Sequence, residues 1–171
     1  MSDNQFYDYL LKLNEYDRKI KYSNSIGLTV SELNERWKGY ANEFNFQFKE
    51  LQVDFNEKDS FQIKLDKNII FLGNTIDDEE KFIKFITMIG SGDGTIQSGM
   101  NIISSIGILI ASLNPNEDIG FRKGILERLG LLGKEIDIKN ETVANDLSYV
   151  LKRSKELGVW FTVSRNQKDE R

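Results

Sequence analysis

The chain has 171 residues and a mass of 19.8 kDa, is 39% hydrophobic and 29% charged, and contains neither histidine nor cysteine. Without imidazole or thiol, Ser/His/Asp and Cys/His triads cannot form within it, zinc lacks its usual nitrogen and sulfur ligands, and disulfide, CxxC and c-type haem chemistry are excluded. A net charge of -4 and a pI near 5.1 give no general attraction to phosphate backbones, so nucleic acid and anionic membranes are disfavoured partners.

The size and apolar content suit a single domain, residues 1–171, with a packed core and a polar, frayed tail over 165–171. The start, Met1-Ser2-Asp3-Asn4, lacks the basic and apolar regions of a secretory signal, which predicts a cytoplasmic protein. Three alanines stand against abundant Ile, Asn and Lys, the usage of an A+T-rich coding sequence, as in a bacterium, phage or mobile element.

Residues 3–20 carry Phe6, Leu10, Leu13, Asp17 and Ile20 at three- and four-residue spacing, flanked by Tyr9 and Tyr16, behind a Ser2/Gln5 capping pair. This predicts an amphipathic helix. After the turn-prone stretch 22–27, Thr29 and Glu32 form a second capping box, and Leu33, Trp37, Tyr40 and Phe44 share one face of a helix starting near Val30. Phe44, Phe46 and Phe48 alternate as a strand would, so the end of that helix stays open. The period is then two: Leu51, Val53 and Phe55, followed by Phe61, Ile63 and Leu65, point to a core, with Gln52, Asp54, Gln62 and Lys64 outward. Turns at Asn56–Ser60 and Asp66–Asn68 and a third strand from Ile69 to Leu72, ending at Gly73-Asn74, complete a three-stranded antiparallel meander.

Asp77, Asp78, Glu79 and Glu80 read as the first turn of a helix carrying Phe82, Ile83, Phe85, Ile86 and Ile89, where the macrodipole welcomes carboxylates. A Gly/Ser loop over 90–99 precedes a buried helix, whose strongly apolar part, Ile102 to Leu113, falls short of the roughly 20 residues that span a bilayer. Phe121, Ile125, Leu129 and Leu132 mark a further helix closing at Gly133. Asn140 reads as the N-cap of a last helix, with Val143, Leu147, Val150, Leu151 and Leu157 inward and Gly158 as its stop, so that Lys152, Arg153 and Lys155 serve its C-terminal end. Val159–Val163 reads as a strand with Trp160 buried. The predicted class is α+β, an antiparallel β-meander with a C-terminal strand added at an edge, packed against several helices.

Gly90-Ser91-Gly92-Asp93-Gly94-Thr95 resembles the Gly-Asp-Gly-Thr signature of the lipid kinase and NAD kinase families, with Ser91 where those families usually have a second glycine. The resemblance implies phosphate handling by Asp93 and the glycine amides; the residues themselves read as a glycine-rich turn before a helix. Asn114-Pro115-Asn116-Glu117-Asp118-Ile119-Gly120 is similar to the opening of an EF-hand loop, but its glycine is one position late and Ile125 stands where a bidentate glutamate is required. It reads instead as a helix stop followed by the next helix's cap. Trp37, Tyr40, Phe44, Phe46 and Phe48, accompanied only by Arg36, Lys38 and Lys49, read as core or interface rather than as a base-stacking platform.

No catalytic, cofactor-binding or metal-binding residue is assigned, and no cofactor is expected. The leading expectation is a non-catalytic protein that binds another protein, in the manner of an immunity or antitoxin-like inhibitor of a basic, nucleic-acid-directed toxin. A dedicated chaperone or a phage-encoded inhibitor of a host protein has the same sequence character. The alternative from another class is a phosphate- or nucleotide-handling enzyme using the loop 90–99.

Overall fold

The computed structural model describes residues 2–57, 59–76 and 79–167. Helices α1 (Asp3–Asn24) and α2 (Val30–Glu43) lead into strands β1 (Val53–Glu57), β2 (Ser60–Lys64), β3 (Ile69–Thr75) and β4 (Ile83–Gly90). Helices α3 (Ile96–Leu113) and α4 (Ile119–Leu129) follow, then β5 (Ile138–Ala144), β6 (Leu147–Ser154) and β7 (Gly158–Arg165). All seven strands join one antiparallel sheet in the order β1-β2-β3-β4-β7-β6-β5, so the fold is α+β, two meanders joined where β4 meets β7.

Both predicted capping boxes form. Ser2 Oγ accepts from Gln5 N at 3.3 Å, and Thr29 Oγ1 accepts from Glu32 N at 3.2 Å while Glu32 returns an acceptor to Thr29 N at 2.9 Å. Helix α2 ends at Glu43; Asn45 takes a left-handed φ of 52°, and the segment carrying Phe46 and Phe48 runs on without joining a strand. In α3 the helix begins at Ile96 with Thr95 as N-cap, three residues before the predicted start, and α4 closes at Gly130 (φ 71°) rather than at Gly133.

Two predicted helices are strands. Of the segment carrying Phe82 to Ile89, Phe82 makes an isolated bridge to Thr29 and Ile83 onward is β4, whose residues alternate Ile86, Met88 and Gly90 toward one side and Phe85, Thr87 and Ile89 toward the other. Phe85 and Ile89 carry apolar side chains on the face away from the helices, so the sequence lacks clean alternation and imitates helical spacing. The capping reading of the acidic run fails with the helix: Glu79 and Glu80 are exposed in the bend before β4, and Asp77 and Asp78 lie outside the described residues. The second case is the stretch from Asn140, which forms the hairpin β5–β6. Ala144 pairs with Leu147 across a two-residue turn in which Asn145 (φ 50°) and Asp146 (φ 62°) both adopt positive φ, the type I′ geometry that matches strand twist. Lys152 and Arg153 therefore lie in β6 and Lys155 in the following turn, not at a helix end.

The last strand joins the sheet as expected, but at the free edge of the unforeseen β4, which places it in the interior of the sheet. Arg165 belongs to it, donating from Nε to Ser25 O at 2.7 Å; of the predicted frayed tail, residues 168–171 lie outside the described residues.

Register puts Ile63, Phe71, Met88, Phe161, Leu151 and Asn140 in one row across the sheet, and Phe61, Gly73, Ile86, Val163, Tyr149 and Thr142 in another on the same face. That face meets the helices. The indole of Trp37 on α2 stands edge-on to Phe71 at 5.5 Å, Ile102 on α3 sits against Gly90, and Asn140 Nδ2 donates to Leu129 O at the end of α4 at 2.9 Å. Helix α3 is long and apolar enough to cross a bilayer by length and composition, and it is largely buried in this core. In the first meander Leu51, Phe61 and Ile63 are buried and Val53 and Leu65 half-buried, as predicted; Phe55 shares their face but is exposed, because β1 is an edge strand. Gln52, Asp54 and Lys64 are exposed and Gln62 half-buried.

Candidate functional site

Helix α1 is the element whose sequence and surroundings disagree. A capping box starts it and an i,i+4 ion pair between Asp17 and Lys21 at 3.0 Å supports its last turns, yet none of its residues is buried. Its 22 residues span about 33 Å at 1.5 Å per residue. Phe6, Tyr9, Leu10, Leu13, Tyr16 and Ile20 form one stripe along it, each more than 40% exposed. The helix is secured at its C-terminal end, where Arg165 Nη2 donates to Tyr22 O at 3.0 Å and Ser25 Oγ donates to the same carbonyl at 2.9 Å. Over the whole helix four carboxylates (Asp3, Asp8, Glu15, Asp17) are balanced by four cations (Lys12, Arg18, Lys19, Lys21), three of them in its last two turns.

In the glycine-rich loop the Asp93 carboxylate is held by its neighbours. Asp93 accepts from Thr95 Oγ1 at 2.6 Å and Thr95 N at 3.0 Å, and Asn68 Nδ2 donates to it at 3.4 Å, while Asp93 N donates to Ser98 Oγ at 3.2 Å. The Thr95 hydroxyl and amide hold the Asp93 carboxyl far below the usual carboxylate range. These bonds lock the turn that presents Thr95 as the N-cap of α3, with Ser98 N donating to Thr95 Oγ1 at 3.2 Å. The carboxylate thus braces its own turn and, through Asn68 and through Lys67 at 4.0 Å, the turn between β2 and β3.

The EF-hand-like segment also serves the fold. Asn114 is buried, donating to Ile110 O and to Tyr149 Oη, both at 2.8 Å; Asp118 Oδ1 caps α4 by accepting from Phe121 N at 2.9 Å; and Glu117 Oε1 accepts from Asn145 Nδ2 at 3.1 Å. Burial pushes the Tyr149 phenol up to about 12. Among the described residues no three carboxylates come together in a group that could hold a metal ion. Of the aromatic set, Trp37 and Phe46 are core, whereas Tyr40 stacks on Phe44 at 6.1 Å under the Arg122 guanidinium.

The sheet face away from the helices is the second open surface. Lys64, Ile70, Ile89, Trp160, Lys152 and Lys139 are successive register partners along it, and Asp54, Gln62, Leu72, Thr87, Thr162, Val150 and Glu141 form the next row. Trp160 lies here, 39% exposed, and not in the core as predicted. Strand alternation sends its neighbours Phe161 and Val159 toward the helices and the indole to the open side. The sequence held a signal for this, since Phe161 and Val163 are the fully buried pair at period two.

Compared with known proteins, no family model, curated protein or solved structure matches the chain.

Proposed function

We propose that this chain works in the cytoplasm by stoichiometric binding of another protein, as an immunity or antitoxin-like inhibitor of a basic, nucleic-acid-directed toxin. The observation that carries the reading is α1: a capped helix of 22 residues whose apolar stripe is left exposed by the described residues. Six aromatic and aliphatic side chains in that stripe expose on the order of 100 Å² each, a total of about 600 Å², which approaches the roughly 800 Å² per partner of a standard interface. An amphipathic helix of this kind binds by laying its i, i+3, i+4 and i+7 side chains into a groove. The chain's net charge of -4 adds steering toward a basic partner, which a surface evolved to hold phosphates provides.

The test is capture of the partner from the native cell with the full chain, followed by assay of the captured protein on nucleic acid. A basic protein held at fixed stoichiometry and silenced by the chain is the expected result. Substituting Leu10→Glu and Leu13→Glu together leaves thermal unfolding unchanged and weakens capture about 30-fold or more, the loss that follows from removing a hot spot of about 2 kcal/mol. A partner held equally by wild type and double variant removes α1 from the site, and a captured protein whose activity is unaffected removes the inhibitor reading.

A further inference from the structure

We propose that the cleft at the β6–β7 end of the open sheet face binds a small planar anion, an aromatic ring carrying a carboxylate or a phosphate. The cleft has a volume of about 450 Å³, within the range of small-molecule sites, and Asp137, Ile138, Lys139, Lys152, Leu157 and Trp160 are among the residues that line it.

Three features specify the ligand. First, Lys139 and Lys152 are direct register partners across β5 and β6 with their side chains on the same face, an arrangement of like charges that costs stability in the empty protein. Among the described residues neither side chain has a hydrogen bond or ion pair, although Asp137 is nearby in the cleft, so an anion placed between the two ammonium groups relieves their repulsion. Second, Trp160 is the next register partner of Lys152, and its Nε1 donates to Leu157 O at 3.1 Å. The indole edge is satisfied and the ring fixed, which leaves its flat face for stacking against another ring. Ile89, its partner on β4, extends the apolar floor. Third, the wall is held in place: Arg153, itself in the lining, donates to the carbonyls of Leu131 and Gly133 at 3.0 Å and to that of Glu135, tying down the segment that leads into β5.

A small ligand fits better than a nucleic acid strand. Between Lys152 and Lys64 the row is Trp160, Ile89 and Ile70, without the continuous basic groove a strand requires, and Asp54 and Glu141 end the neighbouring row.

The experiment titrates the full chain with adenosine 5′-monophosphate, benzoate, adenosine and inorganic phosphate, following tryptophan fluorescence; Trp37 is fully buried and contributes a constant background. Quenching by one of the two ring anions with a Kd of about 1 mM or tighter, and binding of adenosine and inorganic phosphate at least about 10-fold weaker, is the expected result. Which ring anion binds decides between phosphate and carboxylate. The double variant Lys139→Gln, Lys152→Gln keeps its thermal unfolding and weakens binding about 10-fold or more. The proposal is overturned by absence of binding of either ring anion up to about 10 mM, by equal binding of adenosine, or by undiminished binding to the double variant. Tighter, salt-dependent binding of an oligothymidylate also overturns it, assigning the row to single-stranded nucleic acid.

Discussion

Trp37 and Trp160 carry the same ring into opposite surroundings. Trp37 is fully buried, its Nε1 donating to Phe48 O at 2.9 Å and its ring edge-on to Phe46 and Phe71, so Trp37→Ala removes packing and orphans a carbonyl. A loss of about 3–5 kcal/mol by denaturant unfolding is expected. Trp160→Ala, on the open face, changes stability by about 0.5 kcal/mol or less, the usual range for a surface site. Tyr149 gives a pH dependence of definite sign. Its phenol is pushed up to about 12 by burial, with Asn114 as its hydrogen-bond donor, whereas the unfolded chain ionises near 10. Between these values the unfolded state has released a proton that the folded state retains, so stability is full below about pH 10 and is lost as pH rises through about 12. Chemical unfolding across that window checks it, and Tyr149→Phe removes that component of the slope. Asp93 has the opposite sense: held low by Thr95, it contributes stability above the ordinary carboxylate range that is lost as pH falls toward its depressed value, and Asp93→Asn flattens that acid limb.

At the scale of elements, legibility followed the environment of each segment. Caps and one-sided periods read directly: Ser2/Gln5 and Thr29/Glu32 close as boxes, and the β2 residues Phe61 and Ile63 point inward, because each signal depends on neighbours in sequence. Strand β4 was illegible because Phe85 and Ile89 put apolar side chains on its open face as well, and β6 because Leu147, Val150 and Leu151, drawn from two faces, share helical spacing by coincidence. The missed cue was Asn145-Asp146, a pair suited to positive φ at both turn positions. Asn145→Ala should cost about 1–2 kcal/mol from its left-handed backbone alone, and more from the lost bonds to Asn114 and Glu117, read from the shift in unfolding midpoint. Of the candidate sites, the stripe on α1 was visible as amphipathicity, but nothing in its own spacing says that the other described residues leave it exposed. The Lys139–Lys152–Trp160 cleft was invisible, since it exists only through pairing of three strands. Deleting residues 2–16 should move unfolding free energy by no more than about 0.5 kcal/mol, because none of them is buried. A large loss would show that α1 belongs to the core.

For the molecule as a whole, the decisive joint is where the two meanders meet. Thr87 and Thr162 exchange a hydroxyl hydrogen bond of 2.8 Å across it although they lie 75 residues apart in sequence. Gly158 begins β7 with a φ of 73°, and a Cβ there would strike the carbonyl of Gly90, so Gly158→Ala strains the joint by both backbone and contact. Every other strand pairing is a local hairpin, whereas this one must wait for a long loop containing α3 and α4 to close. The consequence is kinetic. Closure of the β4–β7 seam should limit the folding rate, in the millisecond-to-second range typical of non-local sheets. Truncating Thr162 or Val163 should then slow refolding in proportion to lost stability, while truncating Ile63 or Leu151 chiefly speeds unfolding, a contrast that stopped-flow chevrons would resolve.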